Sequence, residues 1–184
     1  LNPEQALKIR IVDPACGSGS FLLGAYQFLL DYHLSYYLNH EPKNYLKGKS
    51  PALVPTDDGG YSLSLEAKKR ILTSCIFGVD IDSQAVEVTK LSLLLKLLEG
   101  EKGQLSLGIE RILPDLGNNI RCGNSLIGWD YFKDQLFADE EEIYRVNPFN
   151  WEAAFPQVFA DGGFDAVIGN PPYIRIQSIR EWAP

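Results

Sequence analysis

The chain of 184 residues contains no methionine and begins on leucine. A segment cut from a longer protein is the simplest account of that pair of facts. Cysteine is scarce: Cys16, Cys75 and Cys122 are far apart and form no metal-binding pattern, so free core thiols in a reducing cytoplasm are expected. Only two histidines occur, His33 and His40, seven apart on one predicted helix face. With no carboxylate or cysteine frame around them they read as structural, and no metal site is expected. No apolar run reaches membrane-spanning length and no signal peptide is visible, so no membrane partner is expected. Excess positive charge is also missing, for the net charge is −7. A surface that gripped nucleic acid along its whole extent would be basic. Any phosphate grip must come from elsewhere in a longer chain or from one local patch. Lys68-Lys69-Arg70 is the best local candidate, although three adjacent cations are ordinarily a solvated face.

What is present suffices for one domain with a real core: 45% hydrophobic and 22% charged residues. Ile9 to Val12 reads as a short strand ending at Asp13, followed by a tight loop through Ser20. Phe21 to about Asn39 carries apolar residues at helical spacing, with Ser18 or Ser20 as the expected cap. Residues 40–63, rich in proline and glycine, read as a surface insertion. Ser64 to Ser74 returns to helix. Ile76 to Val79 is a second buried strand ending at Asp80-Ile81-Asp82. Ser83 is expected to cap a leucine-rich helix that runs to Glu99, stops at Gly100 and is packed on most sides. Asn119 to Cys122 reads as a third strand and Phe164 to Gly169 as a fourth, buried one. Between them, residues 129–163 are acidic and aromatic; the aromatics are expected to cover the sheet.

Four strands that each end in a polar or glycine-containing loop should align those loops along one edge of a parallel sheet, and right-handed crossovers make it doubly wound. The first loop, Gly17-Ser18-Gly19-Ser20-Phe21-Leu22, lacks the third glycine of a dinucleotide fingerprint and the Lys-Ser/Thr of a P-loop. It does allow close backbone approach to a ligand. An amino-acid group could sit there, its carboxylate at the helix N-terminus and its ammonium near Asp13. Asp80, 61 positions after Gly19, can accept both hydroxyls of a ribose. Ile81 could pack on a purine face and Asn124 bond its edge. Amino acid, ribose and adenine in that order describe S-adenosylmethionine.

Asn170-Pro171-Pro172-Tyr173 follows the fourth strand. The Asn170 amide oxygen can accept from an amino group, the prolines stiffen the loop so that the Pro171 carbonyl has a fixed direction, and Tyr173 offers a stacking face. An ordinary Asn-Pro-Pro turn with a core tyrosine is the competing reading.

Four motifs together resemble a known family. Asp13-Pro14-Ala15-Cys16-Gly17-Ser18-Gly19-Ser20-Phe21-Leu22, Gly78-Val79-Asp80-Ile81-Asp82, Cys122-Gly123-Asn124-Ser125-Leu126 and Asn170-Pro171-Pro172-Tyr173 stand in the order of the gamma-class N6-adenine DNA methyltransferases. Their wording resembles the type IIG restriction-modification and phage-defence methylases over roughly residues 9 to 176. The third-motif residue, often aspartate in that family, is Asn124 here. The resemblance implies an α/β, Rossmann-like methyltransferase fold, doubly wound and mostly parallel, truncated at its C-terminal side. It implies one partial catalytic domain over 1–184 without a target-recognition domain. The implied activity is transfer of a methyl group from S-adenosylmethionine to a flipped-out adenine. Asn170, Pro171, Pro172 and Tyr173 would be catalytic, and Asp13, Pro14, Ala15, Cys16, Gly17, Gly19, Phe21, Asp80, Ile81, Asn124, Ser125 and Leu126 would bind the cofactor. The implied partner is double-stranded DNA, held mainly by regions outside this segment, in a bacterial or archaeal cytoplasm, with room for a fused nuclease and recognition domain. Protein glutamine or RNA adenine as acceptor, and a non-catalytic cofactor-binding module, are the alternatives.

Overall fold

The computed structural model describes residues 1–101, 113–133 and 139–170. In chain order the elements are α1 (Pro3–Ala6), β1 (Ile11–Asp13), α2 (Ser20–Asn39), β2 (Leu53–Pro55), β3 (Tyr61–Leu63), α3 (Leu65–Cys75), β4 (Ile76–Asp80), α4 (Ser83–Leu98), β5 (Ile120–Cys122), α5 (Glu140–Val146), α6 (Trp151–Ala154), α7 (Pro156–Ala160) and β6 (Ala166–Val167). β1, β4, β5 and β6 form a wholly parallel sheet in the order β5-β4-β1-β6. The chain therefore leaves β1 toward β4 and β5 and later returns to β1's other side. That reversal, between β1 and β6, is where open α/β sheets bind ligands.

Alternation along the strands sends side chains to two faces. Ile76 and Ile120 join the core made by α2, α3 and α4, with Leu22, Tyr26, Ile71, Leu72, Leu93 and Leu97 buried there. Val12, Phe77 and Val79 face the opposite layer, where Phe149, Phe155 and Val158 pack with Trp151 and Phe164. The aromatic stretch thus covers the second sheet face, with Phe155 edge-on to Phe77 at 5.7 Å. Gly78 follows Ile76 on the same strand face and pairs with Ile120; a Cβ there would stand 2.8 Å from Leu22 Cδ1 and 3.2 Å from Cys16 Sγ. A larger residue would push the loop after β1 off the sheet.

Several local expectations change. The N-cap of α2 is Gly19, left-handed at φ 81° and without a side-chain cap, while the Ser18 and Ser20 hydroxyls meet each other at 3.3 Å. The cap of α4 is Asp82 rather than Ser83, accepting from the Gln84 N–H at 2.8 Å. Nor is α4 packed on most sides: Val86, Thr89, Leu93 and Leu97 are buried, but Val88, Leu91 and Leu95 are exposed. The fourth strand is two residues long, and Val167 is 70% exposed because β6 stands at the sheet edge among the described residues. Residues 40–63 include the antiparallel pair β2–β3, whose Leu53 and Leu63 are buried in the main core, so the segment is not surface alone.

The basic cluster is occupied by carboxylates. Lys68 pairs with Glu101 at 2.8 Å, Lys69 with Glu66 at 3.8 Å, and Arg70 makes two bonds to Glu4. It is not a free phosphate patch. His33 is buried, with Nε2 unpartnered among the described residues, and His40 stacks on Tyr36 at 4.0 Å.

Candidate functional site

The site grows from the register of the sheet. Asp13 ends β1 opposite Gly78, and Asp80, two residues further along β4, lies opposite Cys122. Both aspartates therefore reach the same carboxyl edge. Asp80 is the hub. Its Oδ2 accepts from the Gly17 N–H at 2.7 Å and its Oδ1 from the Asp82 N–H at 3.0 Å, while its carbonyl accepts from the Gly123 N–H at 2.9 Å. One residue thus joins the loops after β1, β4 and β5. Each carboxylate oxygen keeps a second lone pair for a ligand hydroxyl.

Asp13 is buried, and its Oδ1 accepts from the Ala15 N–H at 3.0 Å. Burial raises its carboxyl above the ordinary value; the Ala15 N–H opposes that rise and the Asp80 charge adds to it. A cationic group beside it would relieve the cost of ionisation. Gly169, next to Asn170, presses on the same carboxylate: a Cβ there would lie 2.7 Å from Asp13 Oδ1 and 3.5 Å from Oδ2. The Ile168 N–H donates to the Val12 carbonyl at 2.9 Å, which draws the end of β6 against β1. The loop carrying Asn170 is therefore seated on the loop carrying Asp13. Pro171, Pro172 and Tyr173 lie outside the described residues.

The glycine loop turns through left-handed backbone at Gly17 (φ 52°) and Gly19 (φ 81°), which a side chain would disfavour. Cys16 is buried and its thiol is pushed up to about 12, first by burial and then by the Asp80 charge. A thiol so hard to ionise is no nucleophile. Pro14 and Ala15 form the turn between Asp13 and Cys16, with Ala15 exposed. Phe21, in the first turn of α2, is 49% exposed, Ile81 54% and Leu126 92%. These apolar side chains border the strand ends and suit a flat, partly apolar ligand.

Asn124 uses its Oδ1 to accept from the Leu126 N–H at 3.1 Å, closing its own turn, and its N–H donates to the Asn147 carbonyl at 2.7 Å. Its side-chain NH2 is thereby held in a fixed direction, and the oxygen has one lone pair left. The Ser125 carbonyl accepts from Trp151 Nε1 at 3.1 Å, tying this turn to the aromatic layer. Gly123 is required by that layer, since a Cβ would fall 2.4 Å from Phe149 Cδ2.

A cleft of about 580 Å³ flanks the site between the start of α4 and β5, lined by Gln84, Glu87, Lys90, Arg121 and Cys122 among others. A larger one, about 850 Å³, lies between the β2–β3 hairpin, the start of α3 and Glu101. It adjoins the far end of α4, about 24 Å along that helix from the strand ends. Volume and chemistry thus disagree, and the convergent polar groups decide for the strand ends. Among the described residues no group of three or more His, Cys, Asp or Glu could hold a metal ion, and no helix is long and apolar enough to cross a membrane.

The model of the Eco57I restriction-modification methylases matches residues 74–183, from the end of α3 through the Asn170 loop. The chain belongs to that family. Among the family's relatives, the chain is 35% identical over 181 residues to the type II restriction enzyme and methyltransferase RM.Eco57I of Escherichia coli, covering 98% of this chain and 16% of that protein. It is 25% identical over 176 residues to the adenine-specific methyltransferase PglX of Streptomyces coelicolor, covering 92% of this chain and 12% of that protein. A solved structure, a nuclease-deletion mutant of the type ISP restriction-modification enzyme LlaGI in complex with a DNA substrate mimic, overlays with a TM-score of 0.47 at 15% identity. The overlay covers 91% of this chain and 10% of that one. The chain thus spans about a sixth or less of the curated relatives' length. Within this Eco57I-type methylase segment, the sequence motifs did not reveal two participants. Thr89 touches the glycine loop, and Gly169 touches Asp13. The only available signal for Thr89 was a β-branched hydroxyl on the buried face of a leucine-rich helix.

Proposed function

We propose that this chain is the methyltransferase segment of a restriction-modification or phage-defence enzyme that methylates adenine N6 in DNA, with S-adenosylmethionine as methyl donor. The observation that carries the reading is the seating of Gly169 on Asp13, which puts the residue before Asn170 against the carboxylate of the glycine loop. A donor held by that loop would have its reactive end facing the Asn170 loop. The methyltransferase family and the adenine-specific relative support the reaction and the base.

The residues present fit the donor. Gly17 and Gly19 leave a cradle without side chains, Asp13 is a buried acid suited to an ammonium, Asp80 accepts ribose hydroxyls, and Ile81 and Leu126 give apolar cover for a purine. When bound, S-adenosylmethionine supplies a sulfonium methyl group for attack by the exocyclic amine. The amine is a weak nucleophile because its lone pair is delocalised into the ring. Asn170 Oδ1 would accept a hydrogen bond from one N–H of the amine and the Pro171 carbonyl from the other, which localises the lone pair on nitrogen. As the N–CH3 bond forms and the S–CH3 bond breaks, the thioether leaves and the surplus N6 proton passes to water. Tyr173 stacks the extruded base, returning roughly 1–3 kcal/mol of the flipping cost. Alignment of the two reactants contributes the rest.

In the full-length protein, Asn170→Ala should lower transfer of tritiated methyl to DNA at least about a hundredfold. S-adenosylmethionine binding by calorimetry should survive. Undiminished transfer would refute the role of Asn170.

A further inference from the structure

Thr89 is fully buried on α4, a helix otherwise filled on that face by Val86, Leu93 and Leu97. A buried threonine commonly satisfies its hydroxyl on the carbonyl four residues back in its own helix. Here Oγ1 instead donates to the Gly17 carbonyl at 2.7 Å, 72 residues away in sequence. The same side chain also closes on Gly19, where a Cβ would lie 2.9 Å from Thr89 Cγ2 and 3.0 Å from Oγ1. Gly17 and Gly19 are both left-handed, and two such glycines in three residues leave a loop with little intrinsic preference for one shape.

We propose that Thr89 is a positioning residue for the cofactor, gripping the Gly17–Gly19 backbone from behind so that the first N–H groups of α2 meet the carboxylate end of the donor. The inference rests on the donor assigned above. Ser20, Phe21 and Leu22 open α2, and by helix geometry their N–H groups have no acceptor within the helix. Those groups can serve an anion only if the loop before them is held still. The hydroxyl fixes Gly17, the methyl fixes Gly19, and the two contacts together set where α2 begins. The grip acts on the Gly17 carbonyl and on Gly19, at the amino-acid end of the site. Asp80, assigned to ribose, meets Gly17 at its N–H and is anchored besides by the Asp82 N–H, so the ribose end keeps a support of its own.

The test is calorimetric binding of two probes to the full-length protein. S-adenosylhomocysteine carries the amino-acid end and 5′-methylthioadenosine lacks it. Thr89→Val removes the hydroxyl and keeps the shape; Thr89→Ala removes both contacts and suits a helix, so a folded variant is available if valine fails. Both should weaken S-adenosylhomocysteine about tenfold, the worth of one well-formed hydrogen bond, and leave 5′-methylthioadenosine unchanged. Thr89→Ser should restore most of the loss. Equal weakening of both probes would mean a general packing role and would overturn the inference, as would no weakening of either. If the unaltered protein bound neither probe, the donor assignment itself would fall, and this inference with it.

Discussion

Asp80 has two duties at once. It braces the glycine loop through the Gly17 N–H, and on the proposed function it also accepts the hydroxyls of a ribose. Asp80→Ala should therefore cut donor affinity by about 10- to 100-fold, the range of a lost hydrogen bond to a charged group, measured by calorimetry. An unchanged affinity would remove Asp80 from the site. His33 acts on the fold alone. Burial lowers its pKa below the ordinary value of 6.5; the Glu4 charge opposes that and the Arg70 charge adds to it. The folded state thus resists the proton that the unfolded chain accepts. Stability is fully present above about pH 6.5 and is lost as pH falls toward the lowered folded value. Thermal melting should drop across that window, and His33→Gln should flatten the drop; an identical slope in the variant would exclude His33 as its source. The polar identities of Asp13, Asp80 and Asn124 were legible because strand ends in such sheets call for them. Thr89 and Gly169 were not, since their partners are distant in sequence and a contact of that kind leaves no periodic signal.

At the level of elements, apolar spacing found α2 and α3 to within a residue or two, but not the N-cap of α2. Gly19 begins α2 because the chain must turn through left-handed backbone there, which neither flanking serine can do cheaply. In α4 the leucine content concealed which face packs. Leu93 is fully buried against the sheet, whereas Leu91 is 58% exposed. Leu93→Ala should destabilise by about 2–5 kcal/mol and Leu91→Lys by no more than about 0.5 kcal/mol in urea unfolding. Similar losses at both positions would mean that the outer face of α4 is covered. The two-residue β6 was read as longer and more buried because Phe164 to Gly169 is largely apolar. In the fold, Phe164 serves the aromatic layer and Gly169 the site, leaving only Ala166 and Val167 for the sheet.

For the molecule as a whole, the acidic net charge and the carboxylate partners of Lys68, Lys69 and Arg70 argue that these cations do not grip phosphate. The parallel sheet was legible, because strand, glycine loop and helix recur in a form that permits few topologies, whereas the strand order that sets its switch point came only with the fold. The identity of the acceptor lies at a different scale, in a reaction carried out by the full-length protein. The decisive measurement is nucleoside mass spectrometry of DNA incubated with that protein and S-adenosylmethionine. N6-methyladenine should appear as the methylated nucleoside and should be missing with Asn170→Ala. Methylcytosine, or methyl incorporated only into protein or RNA, would contradict the assignment of DNA adenine as the substrate.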